Sequence, residues 1–355
     1  MKQVPVIVLG VGGVGRALLE QIITSREPVA ARQGAHFKVV AVADSRSWRW
    51  EPAGLDDDAL RELVAAKKKR QPLGEEAPSA TDIVEIAISA GLQQAILVDV
   101  TAEDGLEPAL DRALEAGYGV VLANKKALAG PWETAQNYFN QPRLRYQSTA
   151  GGGQPVVSTL RYLLDTGDPI RRIEGQLSST LNYICQRLDD GTRFSVALAA
   201  AKALGFTEPD PREDLGGRDV MRKLLILGRT AGWPLEEQDI EVEALYSPAL
   251  AHLDAMEFMV ASMSMDPSLG DRVNAAGAAG EVLRYVAELE EGQGRVGLKA
   301  VPVESPLANL KYVGMYSGRY ANEPLMVGSN VGGVQTTAAG VLGDMIDLVR
   351  CSFGG

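Results

Sequence analysis

Residues 4–9, Val-Pro-Val-Ile-Val-Leu, form an apolar run of strand length and lead without a gap into Gly10-Val11-Gly12-Gly13-Val14-Gly15. The following residues, Arg16 to Ile23, carry apolar side chains at helical spacing. Glycines at this spacing between a strand and a helix constrain the fold more than any other feature of the chain. They read as a dinucleotide-binding fingerprint. Gly10 permits the tight turn, Gly12 lets backbone approach a pyrophosphate, and Gly15 brings the helix close to the strand. The helix start, with Gly13 and Val14 beside it, offers N–H groups and a partial positive charge to phosphates.

A second strand, Lys38 to Ala43, ends in Asp44, an acid placed to accept hydrogen bonds from an adenosine ribose. Asp44 follows Gly15 by 29 residues, longer than the usual spacing of about 20, so Ser25 to His36 is expected to form an extended loop. Arg46, two residues on, instead suits a ribose 2′-phosphate, which leaves NAD and NADP both open. Further strands follow at Ala95 to Thr101 and Gly119 to Ala123, with a helix between them from Leu106 to Ala116. An open parallel sheet places its ligand at carboxyl strand ends, which makes Thr101 and Lys125 candidates for the nucleotide crevice. This alternation predicts an α/β, Rossmann-type doubly wound domain over residues 1–146. The pattern changes at the Gly151-Gly152-Gly153 turn, and a second, α+β domain is expected over 147–335. A last helix, 336–355, packs back onto the first domain.

A chain of 355 residues has room for two such domains. Its net charge of −11 argues against nucleic acid or anionic membrane as partners. The basic run Lys67 to Arg70 lies between acidic segments and reads as a solvated helix end or loop. No leader peptide and no apolar run near the ~20 residues of a membrane span are visible. Two cysteines suit a reducing, cytoplasmic setting. With only two histidines and no Cys/His cluster of zinc spacing, proton transfer falls to lysines and carboxylates.

Those groups crowd together between Gly205 and Lys223. Asp219 and Lys223 stand four apart and share a helix face. Glu208 and Asp214 lie upstream, where Pro209 and Pro211 hold the chain extended. Alone, this is equally a solvated ion pair worth about 0.3–0.5 kcal/mol. Beside a nucleotide fold, it suits a small zwitterion with an amine to grip and a hydroxyl or carbonyl to transform.

Taken together these pieces resemble the homoserine dehydrogenase family over nearly the whole chain. The resemblance rests on the glycine turn, Asp99-Val100-Thr101, Ala123-Asn124-Lys125-Lys126, Ala150-Gly151-Gly152-Gly153-Gln154-Pro155, Ser179-Thr180-Leu181-Asn182-Tyr183, the Glu208–Lys223 pattern and Thr337-Ala338-Ala339-Gly340-Val341. It implies reversible NAD(P)-dependent hydride transfer between L-homoserine and L-aspartate 4-semialdehyde, a step of threonine and methionine biosynthesis. It also implies a homodimer in which residues 147–335 supply catalysis and dimerisation, the substrate lying between the two domains. Lys223 would be the acid/base beside Lys125, with Asp219 at the reacting oxygen. Glu208 would bind the amine, and Thr180 and Asp214 would line the pocket. Gly340 joins the nucleotide-contacting residues.

Three departures from the family pattern stand out. Ser179 replaces a glycine, and Gln147-Ser148 replaces Glu-Ala before the glycine turn. A neutral amide there predicts a weak sodium or potassium site, or none, at Ala150, Gly152 and Gln154. No regulatory or kinase domain is expected to flank the catalytic core. The rival readings are an oxidoreductase of this fold acting on another small amino or hydroxy acid, and a catalytically silent nucleotide sensor.

Overall fold

Seven strands build the first sheet: β1 (Lys2–Leu9), β2 (Ala35–Ala43), β3 (Ser47–Trp50), β4 (Glu75–Glu76), β5 (Ile96–Asp99), β6 (Gly119–Leu122) and β7 (Leu144–Arg145). A computed structural model describes them within residues 1–351. Their order is β4-β3-β2-β1-β5-β6-β7. Strands β2, β1, β5, β6 and β7 run parallel, while β3 and β4 extend the edge antiparallel. Helices cover both faces of a parallel sheet, so its strands need apolar side chains in both directions. Val4, Val6, Ile7 and Val8 of β1 are accordingly all buried.

The helix Gly13–Thr24 sets Leu18, Leu19 and Ile22 into the same core cluster as Val341, Met345 and Leu348 of the terminal helix, Val334–Cys351. Burying each of these leucines contributes roughly 1.5–3 kcal/mol. The terminal helix therefore completes the nucleotide unit. Residues 352–355 of the expected span lie outside the described residues.

The segment from Ser25 to His36 corrects the expectation of an extended loop. Arg26–Gln33 is a helix, with Glu27 in its first turn, Arg32 in its last and Gly34 in the left-handed conformation (φ +66°) as its C-terminal stop. The extra length is taken up helically, and β2 starts at Ala35, three residues before the expected Lys38.

The second sheet comprises β8 (Ile170–Gly175), β9 (Ile240–Val242), β10 (Glu281–Glu290), β11 (Gln293–Pro302), β12 (Tyr312–Ser317) and β13 (Leu325–Gly328), in the order β13-β12-β8-β10-β11-β9. Neighbours are antiparallel except β9 with β11. The β10–β11 hairpin turns through Glu291 and Gly292, both at positive φ, as a tight right-twisting hairpin requires. Helices Ser179–Asp189, Arg218–Thr230 and Asp266–Ala278 pack on β10. Strand β8 ends at Gly175 and does not continue through Ser178. Ser178 instead caps a helix, its Oγ accepting from Leu181 N at 3.2 Å.

The chain divides into compact units at 157/158 and 330/331, rather than at 146 and 335. The displaced segments belong with the nucleotide unit because they bind its terminal helix. Gln147 N donates to Asp344 Oδ2 (2.7 Å) and Ser148 Oγ to Thr337 O (2.7 Å).

Candidate active site

In the first unit, β1 and β5 are neighbours although three strands intervene between β1 and β5 in sequence, so the sheet reverses its winding there. Such a switch point opens a crevice at the carboxyl strand ends. Gly10 (φ +100°) makes the turn, its N–H donating to Ala43 O at 2.8 Å. A Cβ at Gly15 would sit 2.0 Å from Gly10 O, and one at Gly12 would meet nothing within 4 Å. Gly12 thus faces open space at the start of the helix, while Gly15 is required by packing. Gly13 lies against Val334, and Val14 packs on the core.

Asp44 draws partners from its own turn and from a neighbouring helix. Its Oδ1 accepts from Arg46 N (2.9 Å), Ser47 N (2.8 Å) and Ser47 Oγ (3.2 Å), and its Oδ2 accepts from Lys67 Nζ at 2.5 Å. Burial works to raise this carboxyl, but Lys67 and the two backbone N–H groups outweigh it and hold it below the usual carboxylate range. A carboxylate has about four acceptor positions; Oδ1 is taken up by this turn, and Oδ2 keeps one position beside Lys67. Lys67, expected to be solvated, is the ion-pair partner. Beside it lies a cavity of about 1010 Å³ whose lining includes Gly12, Arg16, Arg46, Lys67, Lys68 and Arg70. An adjoining slot of about 320 Å³ is lined by Leu9, Ala43, Pro78, Ile83, Thr101 and Leu106.

Asp99 and Asn124, which the sequence does not single out by themselves, hold the crevice edge. Buried Asp99 accepts from Thr101 N (2.9 Å), Thr101 Oγ1 (2.7 Å) and Asn124 Nδ2 (3.0 Å). Asn124 Oδ1 accepts from Lys126 N at 3.1 Å. This network ties the ends of β5 and β6 together and sets the positions of Thr101 and half-buried Lys125. The available sequence signal is an acid closing an otherwise apolar strand.

The glycine turn at 151–153 packs against the terminal helix. A Cβ on Gly153 would lie 1.8 Å from Thr336 O, and one on buried Gly340 would lie 2.5 Å from Ser148 Oγ and 2.6 Å from Gly153 Cα. Gly340 therefore serves this contact. The Gln147 side-chain amide donates to Gln154 O, taking one of the two acceptor positions of that carbonyl.

In the second unit, Gly217 (φ +69°) opens the helix Arg218–Thr230; a side chain there would lie 2.2 Å from Tyr285 Oη. Asp219 takes the first turn, where a carboxylate suits the helix dipole. Lys223, with a side chain 19% exposed, pairs with Asp219 Oδ2 at 2.7 Å and donates to Leu177 O at 2.8 Å. The expected i,i+4 pair is therefore anchored to a third group from a distant segment. Thr180 Oγ1 donates to Phe206 O at 2.6 Å, and Asp214 Oδ2 accepts from Glu208 N at 2.8 Å. Burial raises the Asp214 carboxyl; the bond from the Glu208 N–H only partly opposes this. The structure thus gathers Thr180, Glu208, Asp214, Asp219 and Lys223 around the start of one helix.

Glu208 is the exposed member of this group. It lies exposed on its loop, and its carboxylate has no hydrogen-bond or ion-pair partner among the described residues. One member of the cluster is not foreshadowed at all: Lys311, just before β12, donates from Nζ to Ser179 Oγ at 2.5 Å. No local sequence signal distinguishes this lysine.

Comparison with known proteins agrees with these features. The profile described as "Homoserine dehydrogenase" matches residues 155–346, and "Homoserine dehydrogenase, NAD binding domain" matches residues 10–141. A homoserine dehydrogenase of Paracoccidioides brasiliensis is 34% identical, with 97% of each chain covered. A bifunctional aspartokinase/homoserine dehydrogenase of Haemophilus influenzae is 35% identical over 98% of this chain. The chain spans only 43% of that relative, and 38% of a bifunctional relative from Zea mays. Among solved structures, a putative homoserine dehydrogenase of Archaeoglobus fulgidus has a TM-score of 0.78 at 26% identity, covering 97% of this chain and 99% of its own. The chain belongs to the homoserine dehydrogenase family.

Proposed function

We propose that the chain catalyses the reversible NAD(P)-dependent interconversion of L-homoserine and L-aspartate 4-semialdehyde in threonine and methionine biosynthesis. The observation that carries this reading is Lys223, held between Asp219 and Leu177 O beside Thr180 and Asp214. The nicotinamide supplies the acceptor for the hydride that leaves homoserine C4. Lys223 in its neutral form takes the hydroxyl proton, so the alcohol becomes an aldehyde with one hydride and one proton accounted for. In the reverse direction the Lys223 ammonium returns that proton to the new alkoxide. Asp219 keeps the amine oriented, and Glu208, whose carboxylate is unengaged, takes the substrate ammonium.

The nucleotide favoured by the first unit carries a 2′-phosphate. Asp44 is already engaged with Lys67, and Arg16, Arg46, Lys67, Lys68 and Arg70 face the cavity beside it. The neighbouring apolar slot suits an adenine. No cation is required, and turnover is expected to respond to sodium or potassium only through ionic strength.

Pairing of two copies through the second sheet is also part of this reading. On β10, Leu289 faces the helix at Gly228, so adjacent Glu288 lies on the opposite face. There it pairs with Lys299 (2.5 Å), and the end of this face around that pair is the part a second copy would cover. Two thiols in no disulfide and the absence, among the described residues, of any helix long and apolar enough to cross a membrane accord with a cytosolic enzyme.

The test is spectrophotometric. NADP+ should be reduced with L-homoserine and not with 4-hydroxybutyrate, which lacks the amine. Equal rates with the two would overturn the assignment.

A further inference from the structure

Lys311 stands across from Lys223 with a different set of partners. Lys223 has Asp219 as its carboxylate, whereas the Lys311 ammonium reaches only the Ser179 hydroxyl and has no carboxylate within 4.0 Å among the described residues. Its backbone is held in place, the Lys311 N–H donating to Asn330 Oδ1 at 3.2 Å. Burial and the nearby Lys223 ammonium both lower its proton affinity, which marks a site with positive charge in excess. A half-buried cation without a counterion is costly unless a ligand brings the anion.

The surroundings specify which anion. Ser179 is the first residue of the helix Ser179–Asp189, whose positive end faces the same loop. The preceding Leu177 carbonyl accepts from Lys223, and the following Thr180 hydroxyl bonds Phe206 O. A small anion at Lys311 is therefore within one loop of the acid/base group, on the opposite side of the charge balance from Glu208.

We propose that Lys311, oriented by the Ser179 hydroxyl, binds the α-carboxylate of the amino-acid substrate. This rests on the amino-acid reading given above and refines it. Glu208 takes the ammonium, Lys311 the carboxylate, and Lys223 the reacting hydroxyl, which is the three-point attachment needed to select one enantiomer. It also gives Ser179 a role: the hydroxyl accepts from the ammonium and keeps its own O–H for the bound carboxylate. A glycine there would leave the lysine unoriented.

The experiment measures binding to the NADP+-loaded protein and needs no turnover. L-2-Aminobutyrate, which keeps both charges of homoserine but has no hydroxyl, is compared with propylamine, which lacks the carboxylate. Calorimetry or NMR titration should show L-2-aminobutyrate binding the wild type more tightly than propylamine. In Lys311→Met that advantage should fall by about 10- to 100-fold, the range for loss of a charged hydrogen bond, with propylamine and NADP+ affinities unchanged. Lys311→Arg should retain most of the advantage, and Ser179→Gly should lose part of it. Equal loss for both ligands in Lys311→Met, no loss for either, or equal wild-type affinities would overturn the proposal. Failure of the wild type to oxidise homoserine would count against the proposed reaction instead, because this readout does not depend on it.

Discussion

Gly12 and Gly15 lie three residues apart in one turn, yet alanine at the two positions should fail for different reasons. A Cβ at Gly15 would stand 2.0 Å from Gly10 O and 2.9 Å from Gly10 C. Both are backbone atoms, so no side chain can swing aside; the turn and helix must separate by about 1.4 Å to reach ordinary contact. Overpacking of this kind costs about 1–3 kcal/mol, which for a domain of this size lowers the melting temperature by roughly 2–10 °C. Gly12 has negative φ (−71°), and a methyl placed on it would meet nothing within 4 Å. Gly12→Ala should therefore melt within about 1 °C of the wild type without nucleotide, while its methyl would enter the space proposed for the pyrophosphate. Loss of one or two charged N–H contacts should then weaken nucleotide binding by on the order of tenfold or more. Thermal melts of the nucleotide-free proteins, paired with fluorescence titrations of NADPH, separate the effects. Wild-type nucleotide affinity in Gly12→Ala would refute the placement of the phosphates, and wild-type stability in Gly15→Ala would refute the close-packing argument.

Lys223→Ala should lower turnover by roughly 10²–10⁴-fold, the usual range for an acid/base group, with nucleotide affinity nearly unchanged; retained turnover at saturating homoserine would transfer the role to Lys125. Oxidation needs a neutral amine and reduction a charged one, so initial rates in the two directions should show opposite trends between neutral and alkaline pH. Arg46→Ala should raise KM for NADP+ by about tenfold and change that for NAD+ little, and an unaltered ratio would remove the 2′-phosphate site. Asp214 supplies a stability test. Its folded carboxyl is raised by burial, so the folded state holds a proton that the unfolded chain has released. The associated stability is full below the ordinary carboxylate range and is lost as pH rises through the raised value. Asp214→Asn should flatten that part of the stability profile in urea titrations across mildly acidic pH.

Local signals in the chain accounted for the nucleotide unit and for the Glu208-to-Lys223 part of the reactive cluster. The strand-glycine-helix spacing placed the turn at Gly10 to Gly15, and the four-residue step from Asp219 to Lys223 placed their ion pair, because both depend on neighbours in sequence and on backbone geometry with a fixed period. Helix formation at Arg26–Gln33 was less legible, since that segment has only one buried residue and little apolar periodicity. The glycines at 151–153 mark a change of pattern in the sequence, but the need for one at Gly153 comes from a helix almost two hundred residues later that lies against it. Asp44 was identifiable as an acid at a strand end, while its engagement by Lys67 depended on where packing brings the end of the helix Asp57–Lys68. Lys311 meets Ser179 across 132 residues of chain, and nothing adjacent to either residue announces the contact. Periodicity and turn chemistry are properties of short segments and so were written in the sequence alone. The partner of each charge was decided only by tertiary structure, because a hydrogen bond or ion pair requires two groups within a few ångströms and the chain brings them there from anywhere along its length.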